Sequence, residues 1–208
     1  MARYIGPVCR LCRREGEKLY LKGEKCFTKC TIEKRPTVPG QHGRSRRAKL
    51  LGFGLQLREK QKVKRMYGLV EKQFRLTFER AEKSKGITGE ALLIALERRL
   101  DNILYRMGLA ASRAQARQFI EHGHVRVNGK KVSIPSYSVS PGDEISMKER
   151  LSENVHVQGA VGVGRSRGVP AWLELDPEKP QGKVLALPTR QDLTMPVQEN
   201  LIVELYSK

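Results

Sequence analysis

The sequence predicts an α+β protein in three parts. These are an N-terminal knuckle on four cysteines, a helical domain, and an inserted α/β domain of two helices and a small antiparallel sheet. Three observations predict this. The chain has four cysteines, all within its first thirty residues and in two close pairs. Residues 55–107 carry apolar positions at helical spacing. From residue 124 the pattern turns to short alternating strands separated by strong turn signals.

The knuckle comes first. Cys9 and Cys12 form a C-x2-C pair and Cys26 and Cys30 a C-x3-C pair, with 13 residues between. Such spacings let two thiolates from one turn meet two from another around one tetrahedral zinc, so one structural zinc ion is expected. The competing readings are four reduced thiols, a redox pair and an iron–sulfur cluster; no strand–helix pattern precedes Cys9 as a redox pair would need. Basic residues surround the ligands: Arg10, Arg13, Arg14, Lys18, Lys22, Lys25 and Lys29. A metal would fold a segment too short to fold alone and present that charge. Arg35 to Gly43 follows as a Pro/Gly loop, then Arg44, Arg46 and Arg47, a run that repels itself unless an anion neutralises it.

Residues 55–67 read as a strongly basic helix with Arg58, Lys60, Lys62, Lys64 and Arg65, and an apolar edge of Leu57, Val63, Met66 and Tyr67. A second helix is expected from Glu71 to Lys83, with Phe74 and Phe78 one turn apart. The stretch from Thr88 to Gly108 reads as one helix, capped by the threonine and ended by the glycine. Its buried stripe is Leu93, Leu96, Leu100, Ile103, Leu104 and Met107, and Arg99 and Arg106 share a flank. The next helix opens at Ser112, with Gln115 completing a capping box, and stops at Gly123. Arg113 and Arg117 lie one turn apart on it and point the same way. His124 to Val127 alternates as a strand, Asn128-Gly129 is a hairpin turn, and Val132 and Ile134 continue beyond. Pro141-Gly142-Asp143 turns the chain into a strand from Glu144 to Met147. Asn154 to Arg167, rich in Gly and Val, supports no assignment. Ala171–Leu175 and Val184–Leu187 read as strands, and Ile202–Tyr206 as a closing strand or extended tail. The expected domains are 1–45 (knuckle and basic loop), 46–95 (helical, completed by 192–208) and 96–191 (the α/β domain with C-terminal strands).

Charge narrows the function. Lys plus Arg is 40 and Asp plus Glu 22, a net charge of +18. The excess is graded: residues 1–50 hold 14 basic and 4 acidic residues, and residues 151–208 hold 6 and 7. The N-terminal half is therefore the face expected to meet RNA. Aromatics make up only 6% of the chain, so phosphate contact with folded RNA is expected over stacking on many splayed bases. No apolar stretch is long enough to span a membrane, and no signal-peptide core is visible. A cytoplasmic protein is expected, which favours metal over disulfides for the cysteines. Arg113, Arg117, Lys130 and Lys131, at a helix start and a hairpin tip, are expected to border one RNA-binding groove.

The run RLDN…SRAQARQFIEHGHVRVNGKKV…IPSYSV…GDEI resembles the RNA-binding fold named after small-subunit ribosomal protein S four. That fold also occurs as an accessory module in RNA-modifying enzymes and synthetases. The segments MARYIGPVCRLCRREG, RPTVPGQHG, LQLREKQKVKRMYG and LPTRQDLTMPVQENLIVELYSK resemble the bacterial-type ribosomal family itself, in its zinc-knuckle form. The resemblance covers nearly the whole chain. It implies a structural, non-catalytic constituent of the small subunit. It implies primary binding of 16S rRNA, nucleation of subunit-body assembly and an influence on translational accuracy. It also implies contact with protein S five and a place where mRNA enters; neither DNA nor membrane is an expected partner. The RNA-binding residues expected from the residues and the resemblance together are Arg3, Tyr4, Arg10, Arg13, Arg14, Arg44, Arg46, Arg47, Arg58, Lys60, Lys62, Lys64, Arg65, Arg99, Arg106, Ser112, Arg113, Gln115, Arg117, Gln118, His122, His124, Asn128, Lys130 and Lys131.

Two other classes compete. An RNA-modifying enzyme needs a catalytic domain, and no carboxylate pair or Ser/His/Asp set is visible. The Pro-Cys-x-x-Cys of zinc deaminases is broken because Val8 separates Pro7 from Cys9. A zinc-containing regulator of the C2H2 type lacks its histidine pair.

Overall fold

The computed structural model describes residues 3–44, 51–148, 154–176, 179–193 and 195–207. The chain divides into two compact units, Met1–Leu92 with Met195–Lys208, and Leu93–Thr194.

The first unit opens with three short helices, α1 (Cys9–Glu15), α2 (Lys25–Thr28) and α3 (Thr31–Lys34). Gly16, at φ 82°, ends α1 in the left-handed region that glycine adopts without strain. The longer helices are α4 (Phe53–Met66), α5 (Glu71–Glu82) and α6 (Thr88–Glu97), the last running on into the second unit. Val63, Met66, Phe74 and Phe78 are buried, as their helical spacing requires. The C-terminal segment, expected as a strand or tail, is a helix (Glu199–Tyr206, numbered α10 below) packed on α4. Its β-branched pair Ile202 and Val203 favours a strand locally. Packing overrides that preference: Ile202 is buried, and the Tyr206 ring stacks on Phe78 with centroids 4.5 Å apart.

In the second unit the expected single helix from Thr88 to Gly108 is two, because the chain breaks after α6 and restarts as α7 (Leu100–Arg106). Arg99 is extended, at φ −67° and ψ 136°. The loop 135–139 supplies what the break removes: the carbonyls of Tyr137 and Pro135 accept from the N–H groups of Leu100 and Asp101. Helix α8 (Arg113–Glu121) starts where the cap signal put it, with Ser112 Oγ accepting from the Gln115 N–H. Gln115 Oε1 accepts from the N–H of Ala111, one residue before the cap, at 2.8 Å.

The sheet has the order β2-β1-β3-β5-β4, with every pair antiparallel. Its strands are β1 (Val125–Val127), β2 (Lys130–Lys131), β3 (Glu144–Met147), β4 (Leu173–Leu175) and β5 (Gln181–Val184). Ile134 and the residues after Val184 lie outside the strands expected to contain them. The unassigned Gly/Val segment holds a helix, α9 (Val155–Arg167). It buries Val157, Ala160 and Gly164 on one side, and glycine permits its close approach: a Cβ at Gly164 would fall 2.4 Å from the Gly108 Cα. The core of this unit gathers Leu100, Ile103, Leu104, Met107, Ile120, Val125, Ile145 and Trp172.

Candidate nucleic-acid interface

The arginines nearest the α7–α8 corner face inward. Asp101, 1% exposed, receives both forks of Arg99 at 3.0 and 2.9 Å and the Nη2 of Arg117 at 2.6 Å. Asn102 donates to Glu97 Oε2 at 2.7 Å and accepts from Arg113 Nε at 2.7 Å. The Arg113 guanidinium also lies over the Tyr105 ring, 4.5 Å from its centroid. Arg106 makes a two-pronged pair with buried Glu97 at 3.0 and 2.8 Å. Arg99, Arg113 and Arg117 are only 7%, 6% and 4% exposed. The expectation that Arg113 and Arg117 border an open groove is therefore corrected. Acidic and amide partners on α7 draw them into the corner, and counting charges along α8 does not reveal those partners.

The hairpin is different. Val125 and Val127 are buried, so Arg126 between them faces out. Arg126 pairs directly with Lys131 across the hairpin, and both are exposed. Like charges placed opposite each other on neighbouring strands repel. Lys130, Gln118 and His122 are exposed as well. His124 titrates below its ordinary value because it is partly buried and because Lys148, His122 and Lys131 stand near. Gly123, at φ 70°, lets the Lys131 stem pass: a Cβ there would meet Lys131 Cε at 2.2 Å. Asn128, at φ 49°, shapes the turn and is tied to it, its side chain bonded to Asp143 and to the Glu144 N–H. The sequence reading missed Arg126, though the Val-Arg-Val alternation marked it. A cleft of about 550 Å³ that reaches from the hairpin turn at Gly129 across the sheet is lined by Glu144, Glu174, Asp176 and Lys183, a balance unsuited to phosphate.

In the first unit the basic helix α4 is neutralised from within. Arg58 and Arg65 meet the buried side chain of Glu15, whose carboxyl is raised by burial against their pull. Lys60 and Lys64 each reach Glu71 at 2.6 Å. Burial works to raise Glu71, but the two lysine hydrogen bonds prevail and hold it down at about 2. Lys62, 7% exposed, bonds the Pro196 carbonyl and Glu59, both at 2.9 Å. Arg13 donates to the Thr37 carbonyl at 2.9 Å. Arg3, Tyr4, Arg10, Arg14 and Arg44 are exposed. Arg46 and Arg47 lie outside the described residues.

The cysteines draw together. Cys12, Cys26 and Cys30 are buried and Cys9 half-buried. Burial pushes the Cys12 thiol up; the Leu19 N–H opposes this, and Cys26, Cys9 and Cys30 push it further. The Lys22 N–H points at Cys26 Sγ (3.3 Å) and the Thr31 hydroxyl at Cys9 Sγ (3.5 Å), donors that suit thiolates. Among the described residues no group of three or more His, Cys, Asp or Glu side chains stands arranged to hold a metal ion.

Residues 3–97 match the family described as ribosomal protein S4/S9 N-terminal domain, and residues 98–145 the S4 domain. Curated relatives match end to end. The small ribosomal subunit protein uS4 of Acetivibrio thermocellus is 59% identical, with all of both chains covered. Those of Acidobacterium capsulatum and Natranaerobius thermophilus are 58% and 56% identical over the same full span. This chain belongs to the uS4 family. The two uS4 family regions meet between residues 97 and 98, at the break that separates α6 from α7. The hairpin with Arg126 and the buried Asp101 network both fall within the second of them. Among the described residues no helix is long and apolar enough to cross a membrane.

Proposed function

We propose that this chain is a structural, RNA-binding constituent of the small ribosomal subunit, not an enzyme, and that the hairpin is one of its contacts with 16S rRNA. The observation that carries the site is the exposed Arg126–Lys131 pair, which is unfavourable in the free protein and becomes favourable when phosphate lies across it. Gln118, His122, His124 and Lys130 would extend that contact in this unit, and Arg3, Tyr4, Arg10 and Arg14 would serve the other. The paired residues of α4 and the α7–α8 corner would position these contacts.

Finer roles are part of the same reading. The chain would bind 16S rRNA early, nucleate the subunit body and influence accuracy. It would touch protein S five, and Arg44, Arg46 and Arg47 would lie where mRNA enters. Cys9, Cys12, Cys26 and Cys30 would hold one structural zinc. The thiolate donor set supports this, with backbone N–H groups turned towards the sulfurs. Zinc there would fold the knuckle and perform no chemistry.

A sucrose gradient of lysate containing tagged protein tests the central statement. The protein should migrate with small subunits and with particles that precede them. Recovery only in the free pool would reject the reading.

A further inference from the structure

We infer that the stacked rings of Tyr20 and Phe27 form a platform for one unpaired nucleobase of the bound RNA, inside the cysteine knuckle and separate from the hairpin. The inference rests on the RNA-binding reading above and adds to it a stacking contact.

The two rings lie 5.0 Å apart at 29°, an offset stack. They do not form the knuckle's interior. Leu19 fills that at 0% exposure, while Phe27 is 46% exposed. A large ring left half in water on a segment this short is free to take another flat partner.

Tyr20 sits at φ 51°, and among the described residues Asn128 is the other non-glycine at positive φ. The turn explains a left-handed residue there, because it brings the Leu19 and Lys22 N–H groups to the sulfurs of Cys12 and Cys26. It does not explain an aromatic one, since glycine or asparagine would adopt that φ with less strain. Strained residues of this kind collect at sites where the side chain itself is used.

The surroundings choose the partner. Lys22, Lys25 and Lys29 are exposed, each within two residues of one ring or the other, and among the described residues none of them is held in an ion pair. Exposed Glu24 is the one acidic neighbour in that stretch. A flat face ringed by unneutralised ammonium groups fits a base with its flanking phosphates better than an apolar protein segment.

The test uses the full chain, a 16S rRNA transcript and two variants, Phe27→Leu and Phe27→Trp. Leucine keeps apolar bulk and removes the stacking face, so Kd should rise about 5- to 100-fold with the salt slope unchanged. Tryptophan keeps the face, so Phe27→Trp should bind like the unsubstituted chain. Its emission, above the Trp172 background, should fall when transcript is added. Equal Kd for leucine and phenylalanine would overturn the inference. So would equal weakening in both variants, an unquenched Trp signal, or an affinity loss that tracks lost protease resistance in residues 3–44. Failure of the unsubstituted chain to bind the transcript would instead overturn the RNA-binding reading beneath it.

Discussion

Asp101 governs what the neighbouring arginines can do. Its two oxygens hold Arg99 and Arg117, so these guanidinium groups hold the α7–α8 corner together and do not reach outward. Removing Arg117 takes its fork from buried Asp101 but leaves that of Arg99, at a cost of about 1–3 kcal/mol. Arg117→Ala should therefore lower stability by that amount in denaturant titrations, while the slope of log K for rRNA against log salt stays as it was. Arg126→Ala and Lys131→Ala should do the reverse: near-normal stability, and a slope shallower by about 0.7–0.9 for each phosphate no longer neutralised. Identical slopes in all three variants would take the hairpin out of the interface. Glu71 gives a second residue-level test. Its folded pKa, about 2, lies below the ordinary carboxylate value of 4.5, so its contribution is present above the ordinary value and is lost as pH falls through 2. Because Glu71 is nearly half exposed, screening limits this to on the order of 1 kcal/mol. Glu71→Gln should show that deficit at pH 7, and melting curves of variant and parent should converge near pH 2. At this scale, arginine spacing in the sequence located the helices that carry charge. Which charges are free was not legible, because partners such as Glu15 and Asp101 lie on other elements. Alternation did mark Arg126, whose neighbours Val125 and Val127 turn inward.

Elements were legible where one face is apolar and a cap is present. Helix α8 begins at the Ser112 signal, and β3 spans the expected Glu144–Met147. The errors share a cause: longer-range contacts decided them. The break before α7 depends on carbonyls supplied by residues 135–139, and α10 depends on α4. Helix α9 was unreadable because glycine weakens a helix locally, by roughly 0.5–1 kcal/mol relative to alanine. The structure separates its glycines by role. Gly164 abuts Gly108, whereas a Cβ at Gly159 or Gly162 would meet nothing within 4 Å. Gly164→Ala should thus destabilise by about 1–3 kcal/mol through forced displacement. Gly159→Ala should stabilise by several tenths of a kcal/mol. Thermal unfolding of both variants checks this, and equal shifts would mean that the Gly108–Gly164 approach is not what places the helix.

For the whole molecule, the charge gradient and the end-to-end likeness to uS4 relatives agree on RNA as partner. The gradient alone overstates the free charge of the first unit, since Arg58, Lys60, Lys62, Lys64 and Arg65 are all paired within it. The two units also suggest independent responses. If the knuckle holds zinc, chelation should remove on the order of 10 kcal/mol of local folding energy and open residues 3–44 to trypsin. Trp172, buried in the second unit, should keep its emission spectrum in the same sample. A red-shifted Trp172 would show that the knuckle supports more than its own neighbourhood.

The first unit is discontinuous in the chain, and that imposes an order in time. Gln56 finds its partner Glu204 only 148 residues later. At synthesis rates of about 5–20 residues per second, α4 emerges on the order of ten seconds before α10 can cover it. Residues 93–194 are complete within that interval and can fold first. Lys62, whose ammonium group bonds the Pro196 carbonyl, has no such acceptor until the last residues are made. The newborn chain thus shows its most basic helix uncovered by α10 before it can close it, and any RNA close at hand meets that helix while Lys62 still lacks its C-terminal partner.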